Sequence, residues 1–123
     1  MINGAHFLFY SKDAEADRAF FRDVLKFRFV DVGHSWLIFA LPPAEVGIHP
    51  SEGEFAQKHG GETLMGAVLY FMCDDLKATV ADLNSRGVQC SAVEDAPWGS
   101  KTTFKLPSGG EIGLYQPSHA TAI

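Results

Sequence analysis

The chain has 123 residues, 46% of them hydrophobic, enough for one sizeable core and too few for two independent ones. Its formal charge is −5 and its Lys and Arg are scattered singly, so no basic stripe exists to release counterions and a nucleic-acid partner is excluded. No run approaches the roughly 18 to 20 apolar residues of a membrane-spanning helix. The start, "MINGAHFLFYSKD", also lacks a basic segment and a small-residue cleavage site, so the sequence predicts a cytoplasmic protein without a membrane partner.

"AHFLFYS" is apolar and aromatic, as a strand buried on both faces should be. "KDAEADRAFFRDVLKF" follows as a helix, with Asp13 as its N-cap and Phe20 and Val24 four apart on one face. "FRFVDV", "SWLIFAL" and "AEVGIH" read as three short strands separated by Gly33 and by the Pro42-Pro43 pair. "PSEGEFAQKHGGET" shows no periodicity and reads as a connector. "GAVLYFMCDDLKATVADLNSRGV" then begins again with a strand and a helix, whose buried stripe is Leu76, Val80 and Leu83 and whose stop is Gly87. "VQCSAV", "SKTTFKL" and "GEIGLYQ" complete a second run of three strands. Cys73 and Cys90 have no metal-type spacing and read as reduced, buried thiols.

The two halves repeat one another. "SWLIFALPP" and "SKTTFKLPS" share Ser, Phe, Leu and Pro at matching places, and "LPPAEVGIHP" is answered by "LPSGGEIGLYQP". The expected fold class is therefore α+β: two tandem βαβββ modules, about 1–50 and about 65–117, joined by a connector of about 51–64 in a single domain. Neither module is long enough to bury its own sheet, so they pair into a curved mixed sheet, a cup with its helices on the convex face.

Paired βαβββ modules opening on "HFLFYSKDAEADRAFFRDVLKF" and closing on "LPSGGEIGLYQP" resemble the vicinal oxygen chelate superfamily, the group of glyoxalase I, bleomycin resistance protein and extradiol dioxygenase. The resemblance spans essentially the whole chain. It implies the fold more strongly than an activity, because this scaffold carries both enzymes and pure binding proteins.

Strand parity places His6, Trp36, Tyr70, Glu111 and Tyr115 on the hollow face, where they are the expected ligand-binding residues. Phe7, Phe9, Phe39 and Phe104 fall on the helix side. Trp98 is a further candidate for stacking on a planar ligand, while His34, His59 and His119 read as surface residues.

The resemblance also implies a divalent-metal position on the first and last strands of each module. Those positions are His6, Gly47, Val68 and Gly113, so only one of the four carries a donor atom and no metal cofactor is favoured. An alternative set, His6, His49 and Glu111, has the two-His, one-carboxylate composition that holds Ni, Zn, Mn or Fe. The expected function is thus small-molecule binding in the cup without the usual metal site. The alternative is a metal-dependent lyase or dioxygenase using His6, His49 and Glu111. A chain this small is further expected to close its exposed sheet edge by forming a homodimer.

Overall fold

The computed structural model describes residues 6–50 and 56–123. Ala5, which begins the first expected strand, and residues 51–55 of the expected connector lie outside them. The fold is α+β, and its contacts group the chain into two compact units, Met1–Leu41 with Lys105–Glu111, and Pro42–Phe104 with Ile112–Ile123.

In the first unit, α1 (Ala14–Asp23) starts where the Asp13 side chain accepts from the Ala16 amide at 3.1 Å. Glu15 and Asp17 in its first turn and Arg22 in its last complement the helix dipole. Phe20 and Phe21 are its buried face. The Phe21 ring gathers Phe9, Phe27 and Phe39 at centroid distances of 6.4, 5.8 and 5.4 Å, which confirms Phe9 and Phe39 as helix-side residues. Phe39 belongs to β2 (Leu37–Phe39), which pairs antiparallel with β1 (Phe29–Asp31).

Asp17 is only 8% exposed, and a buried carboxylate is tolerated only when its lone pairs are used. It accepts from the hydroxyls of Ser11 (2.6 Å) and Ser108 (2.7 Å) and from the Ser108 amide (3.0 Å). These bonds fasten α1 to the turn 105–111.

The second unit begins with an unexpected hairpin. Within the predicted connector, β3 (Ala56–His59) pairs antiparallel with β4 (Glu62–Met65). The turn is Gly60-Gly61, with φ of 56° and 84°, and two successive positive φ values are what a two-residue hairpin turn requires.

A four-stranded mixed sheet follows, ordered β5 (Tyr70–Met72), β8 (Glu111–Pro117), β7 (Gly99–Lys105) and β6 (Glu94–Ala96). β5 runs parallel to β8, and β6 antiparallel to β7. Phe104, Ile112 and Leu114 are its buried apolar side chains, with Phe71 stacked on Phe104 at 6.4 Å.

Between β5 and β6 lies α2 (Leu76–Ser85), capped by the Asp75 side chain on the Ala78 amide and by the Gln116 side-chain oxygen on the Leu76 amide. Of the expected stripe, Leu76 and Leu83 are buried and Val80 is half-buried. The helix ends at Gly87 (φ 79°), where the amides of Gly87 and Val88 return to the carbonyls of Asn84 and Leu83.

Three expected strands differ. Residues 6–11 and 44–49 form no ladder with any described residue, and apolar side chains along both are exposed, from Phe7 at 45% to Val46 at 84%. A strand exists only by pairing, and apolar patterning cannot supply the neighbour. In "VQCSAV" the side chains interrupt the ladder: the Ser91 hydroxyl accepts from the Thr103 amide at 2.9 Å, and the Thr102 hydroxyl donates to the Ser91 carbonyl at 2.7 Å. Only the isolated bridge Cys90 to Phe104 remains there, and β6 begins at Glu94. No helix among the described residues is long and apolar enough to cross a membrane.

Candidate functional site

The parallel register of β5 on β8 sets Tyr70 opposite Gly113 and Met72 opposite Tyr115. Because Gly113 has no Cβ, the Tyr70 ring lies flat into the space a side chain there would use. A Cβ at position 113 would fall 2.5 Å from Tyr70 Cε1 and 2.7 Å from Cγ. Gly47, its counterpart in the repeat, has nothing within 4 Å of the equivalent point.

Tyr70 meets Tyr115 edge to face at 6.0 Å, and Tyr115 meets Trp98, from the turn between β6 and β7, at 5.5 Å. The Tyr115 hydroxyl donates to the Trp98 carbonyl at 3.0 Å, which fixes both rings. Desolvation, and after it the nearby Glu45 carboxylate, push the Tyr115 phenol above its ordinary pKa.

Residues after β8 fold back onto this group. The Ser118 amide and hydroxyl donate to the carbonyls of Trp98 and Pro97. His119 lies against the Tyr115 ring at 5.8 Å, and the Ala122 amide donates to Glu45 at 2.6 Å. The result is a cleft of about 490 Å³ lined by Gly47, His49, Tyr70, Trp98, Tyr115 and His119. It is lined largely by rings and is open to solvent, with Gly47, His49, Tyr70, Trp98 and His119 all exposed.

Of the five expected ligand-binding residues, the structure brings Tyr70 and Tyr115 together here, with Trp98 and His49 beside them. His6, Trp36 and Glu111 belong to the first unit. His6 is exposed, the Arg18 guanidinium stands 4.6 Å above the Trp36 ring, and Glu111 is exposed at the start of β8. His119 is exposed, as the sequence predicts, and also borders this cleft. The folding back of its segment depends on long-range hydrogen bonds that no local pattern announces.

Of the four metal positions implied by the resemblance, one carries a donor atom. His6 is the sole donor, Val68 is 83% exposed and apolar, Gly47 is open, and the Gly113 position is filled by the Tyr70 ring. No group of three His, Cys, Asp or Glu that could hold a metal ion occurs among the described residues; of the alternative set, His6 and Glu111 belong to the first unit and His49 to the second.

A sequence profile of the Glyoxalase/Bleomycin resistance protein/Dioxygenase superfamily matches residues 4–114. Among solved structures, TnmS3, an antibiotic binding protein from Streptomyces sp. CB03234, is similar at 24% identity and a TM-score of 0.61, over 96% of this chain and 100% of that one. A glyoxalase/bleomycin resistance protein from the same Streptomyces aligns at 26% identity and a TM-score of 0.54, over 86% of this chain and 93% of that one. Lactoylglutathione lyase from Agrobacterium tumefaciens aligns at 19% identity and a TM-score of 0.56, over 88% of each chain. No curated protein aligns significantly with this chain.

Proposed function

Since the chain belongs to the Glyoxalase/Bleomycin resistance protein/Dioxygenase superfamily, we propose that it is a binding member, which captures a small aromatic molecule in the cleft without a divalent ion. The observation that carries this reading is the Tyr70 ring in the place of a Gly113 side chain. A family metal position has become part of an aromatic wall, which stacks on a planar ligand and coordinates nothing.

In this reading the protein is a cytoplasmic homodimer. Both cysteines are free thiols, in keeping with a reducing compartment. Val46 and Ile48 are 84% and 81% exposed, an apolar edge that a second copy would cover.

The test is a panel of planar aromatic compounds titrated by calorimetry before and after treatment with a chelator, with elemental analysis of the same samples. Binding that ignores the chelator is expected. One ion per chain whose removal abolishes binding would overturn the proposal and favour the metal-dependent enzyme. Sedimentation analysis that shows only monomer across a wide concentration range would remove the dimer.

A further inference from the structure

We infer that residues 44–49 and 119–123 act together as a flap, clasped by Glu45 and the Ala122 amide, which closes the cleft against a fixed wall of Tyr70, Trp98 and Tyr115. The inference rests on the binding reading above and adds how a molecule enters and is held.

The wall is tied to the four-stranded sheet. Each tyrosine ring lies on a glycine of the neighbouring strand: Tyr70 of β5 on Gly113 of β8, and Tyr115 of β8 on Gly99 of β7. A Cβ at position 99 would fall 2.5 Å from Tyr115 Cε2 and would press on the Gln116 carbonyl oxygen as well. The Trp98 carbonyl accepts from both the Tyr115 hydroxyl and the Ser118 amide, each at 3.0 Å, and the Pro97 carbonyl accepts from the Ser118 hydroxyl at 3.0 Å. The rings and the chain as far as Ser118 are therefore held by several bonds at once.

The other lining residues are anchored differently. Gly47 and His49 stand on a segment that forms no ladder with any described residue and is exposed except at the half-buried Glu45, and His119 stands on a stretch that is exposed throughout. Among the described residues, one hydrogen bond carries either segment beyond its immediate neighbours: the Ala122 amide donates to the Glu45 carboxylate at 2.6 Å. The remaining bonds are local, His49 to Pro50, His119 to Ala120 and Thr121 to Ile123. Segments with few buried contacts and solvated backbone open at low cost, and here two such segments share one charge-assisted bond. Breaking it frees both together and leaves the wall in place. Ser118, the last residue of the tail bonded to the sheet side, is the hinge.

Nitrogen relaxation of the backbone amides in the full chain tests the clasp. Order parameters near about 0.8 are expected at Val46 to Ile48 and at Ala120 and Thr121. In Glu45→Ala, which deletes the acceptor, and in Ala122→Pro, which deletes the donor, both segments should fall below about 0.6. Glu45→Gln, which keeps an acceptor, should leave both ordered, and Tyr70, Trp98, Tyr115 and Ser118 should stay unchanged in all three variants. Anilinonaphthalene sulfonate serves as the probe for the gate, and in stopped-flow dilution it should leave Glu45→Ala and Ala122→Pro at least about threefold faster than the parent. Loosening confined to the mutated segment, loosening that spreads to the wall, or a parent already below about 0.6 overturns the clasp. So does loosening accompanied by a change in sedimentation, which would assign the effect to assembly. Unchanged probe release from a loosened flap overturns the gate while capture in the cleft stands. If the probe does not bind at about 1 mM, the binding reading fails, and the clasp is still judged by the relaxation data.

Discussion

Gly113→Ala is the most direct test of how the cleft is built. The added methyl would sit 2.5 to 2.7 Å from carbons of the Tyr70 ring. Non-bonded carbons settle at about 3.5 to 4.0 Å, so ring or strand must move by roughly 1 Å. Tyr70 is fixed on β5 by the register Tyr70 to Gly113 and Met72 to Tyr115, and its ring is also held edge-on by Tyr115. Overpacking of this kind costs about 2 kcal/mol. For a chain of this size that is a fall in Tm of about 8 °C. Gly47→Ala is the internal control: it meets nothing within 4 Å and should change stability by less than about 0.5 kcal/mol. The assay is thermal unfolding followed by far-ultraviolet circular dichroism on Gly113→Ala, Tyr70→Ala and the double variant. Removing the ring should relieve the methyl, so the double variant is expected to lose less than the sum of the singles. Strict additivity, or a Gly113→Ala as mild as Gly47→Ala, would refute the reasoning.

Asp17→Ala leaves the Ser108 amide and two serine hydroxyls without their acceptor and should cost about 3 kcal/mol in denaturant unfolding, with Asp17→Asn losing roughly half as much. A loss below about 1 kcal/mol would show that the carboxylate is not what holds the turn. The Tyr115 phenol is raised above its ordinary 10.0, so the folded state favours the protonated form. That stabilisation is complete below pH 10 and is lost as pH climbs through the folded-state midpoint. Stability should therefore fall in that window and Tyr115→Phe should flatten the fall; an equally steep loss in the variant counts against the assignment. Restoring donors with Gly47→Glu, Val68→His and Gly113→Glu should bring no metal affinity unless Tyr70→Ala is added, because the ring occupies the site. Isothermal titration with nickel, in which the triple variant alone binds, would contradict the filled-position account.

The helices were legible because their signals are local. Asp13 and Asp75 each announce a cap, and Leu76, Leu83 and Gly87 mark one buried stripe and its end. Phe104, placed on the helix side by parity alone, is 1% exposed. The sheet was harder to read, since an apolar run does not name its neighbour. Residues 6–11 and 44–49 have the composition of strands and form no ladder with any described residue. The hairpin at Gly60-Gly61 carried a recognisable turn signal, yet "AQKH" and "ETLM" lack the alternation that would have framed it. Tyr70 and Tyr115 were found by parity, whereas His119 enters the cleft through bonds such as Glu45 to Ala122, 77 positions apart. The glycine repeat misled in an instructive way. The repeat treats Gly47 and Gly113 as equivalent positions, but the Gly113 space is filled by the Tyr70 ring and the Gly47 space is open.

The bond from Asp17 to Ser108 spans 91 positions, and it makes the first compact unit a discontinuous one. The seam between the two sequence repeats falls in the connector, while the seams of the folded units fall near residues 41, 104 and 111. A cut at the repeat boundary would thus sever a working unit and strand a buried carboxylate in one fragment and its donors in the other. The halves of this chain look like interchangeable modules on paper; for transplanting, permuting or splitting it, the indivisible piece is the helix together with the distant turn that it grips.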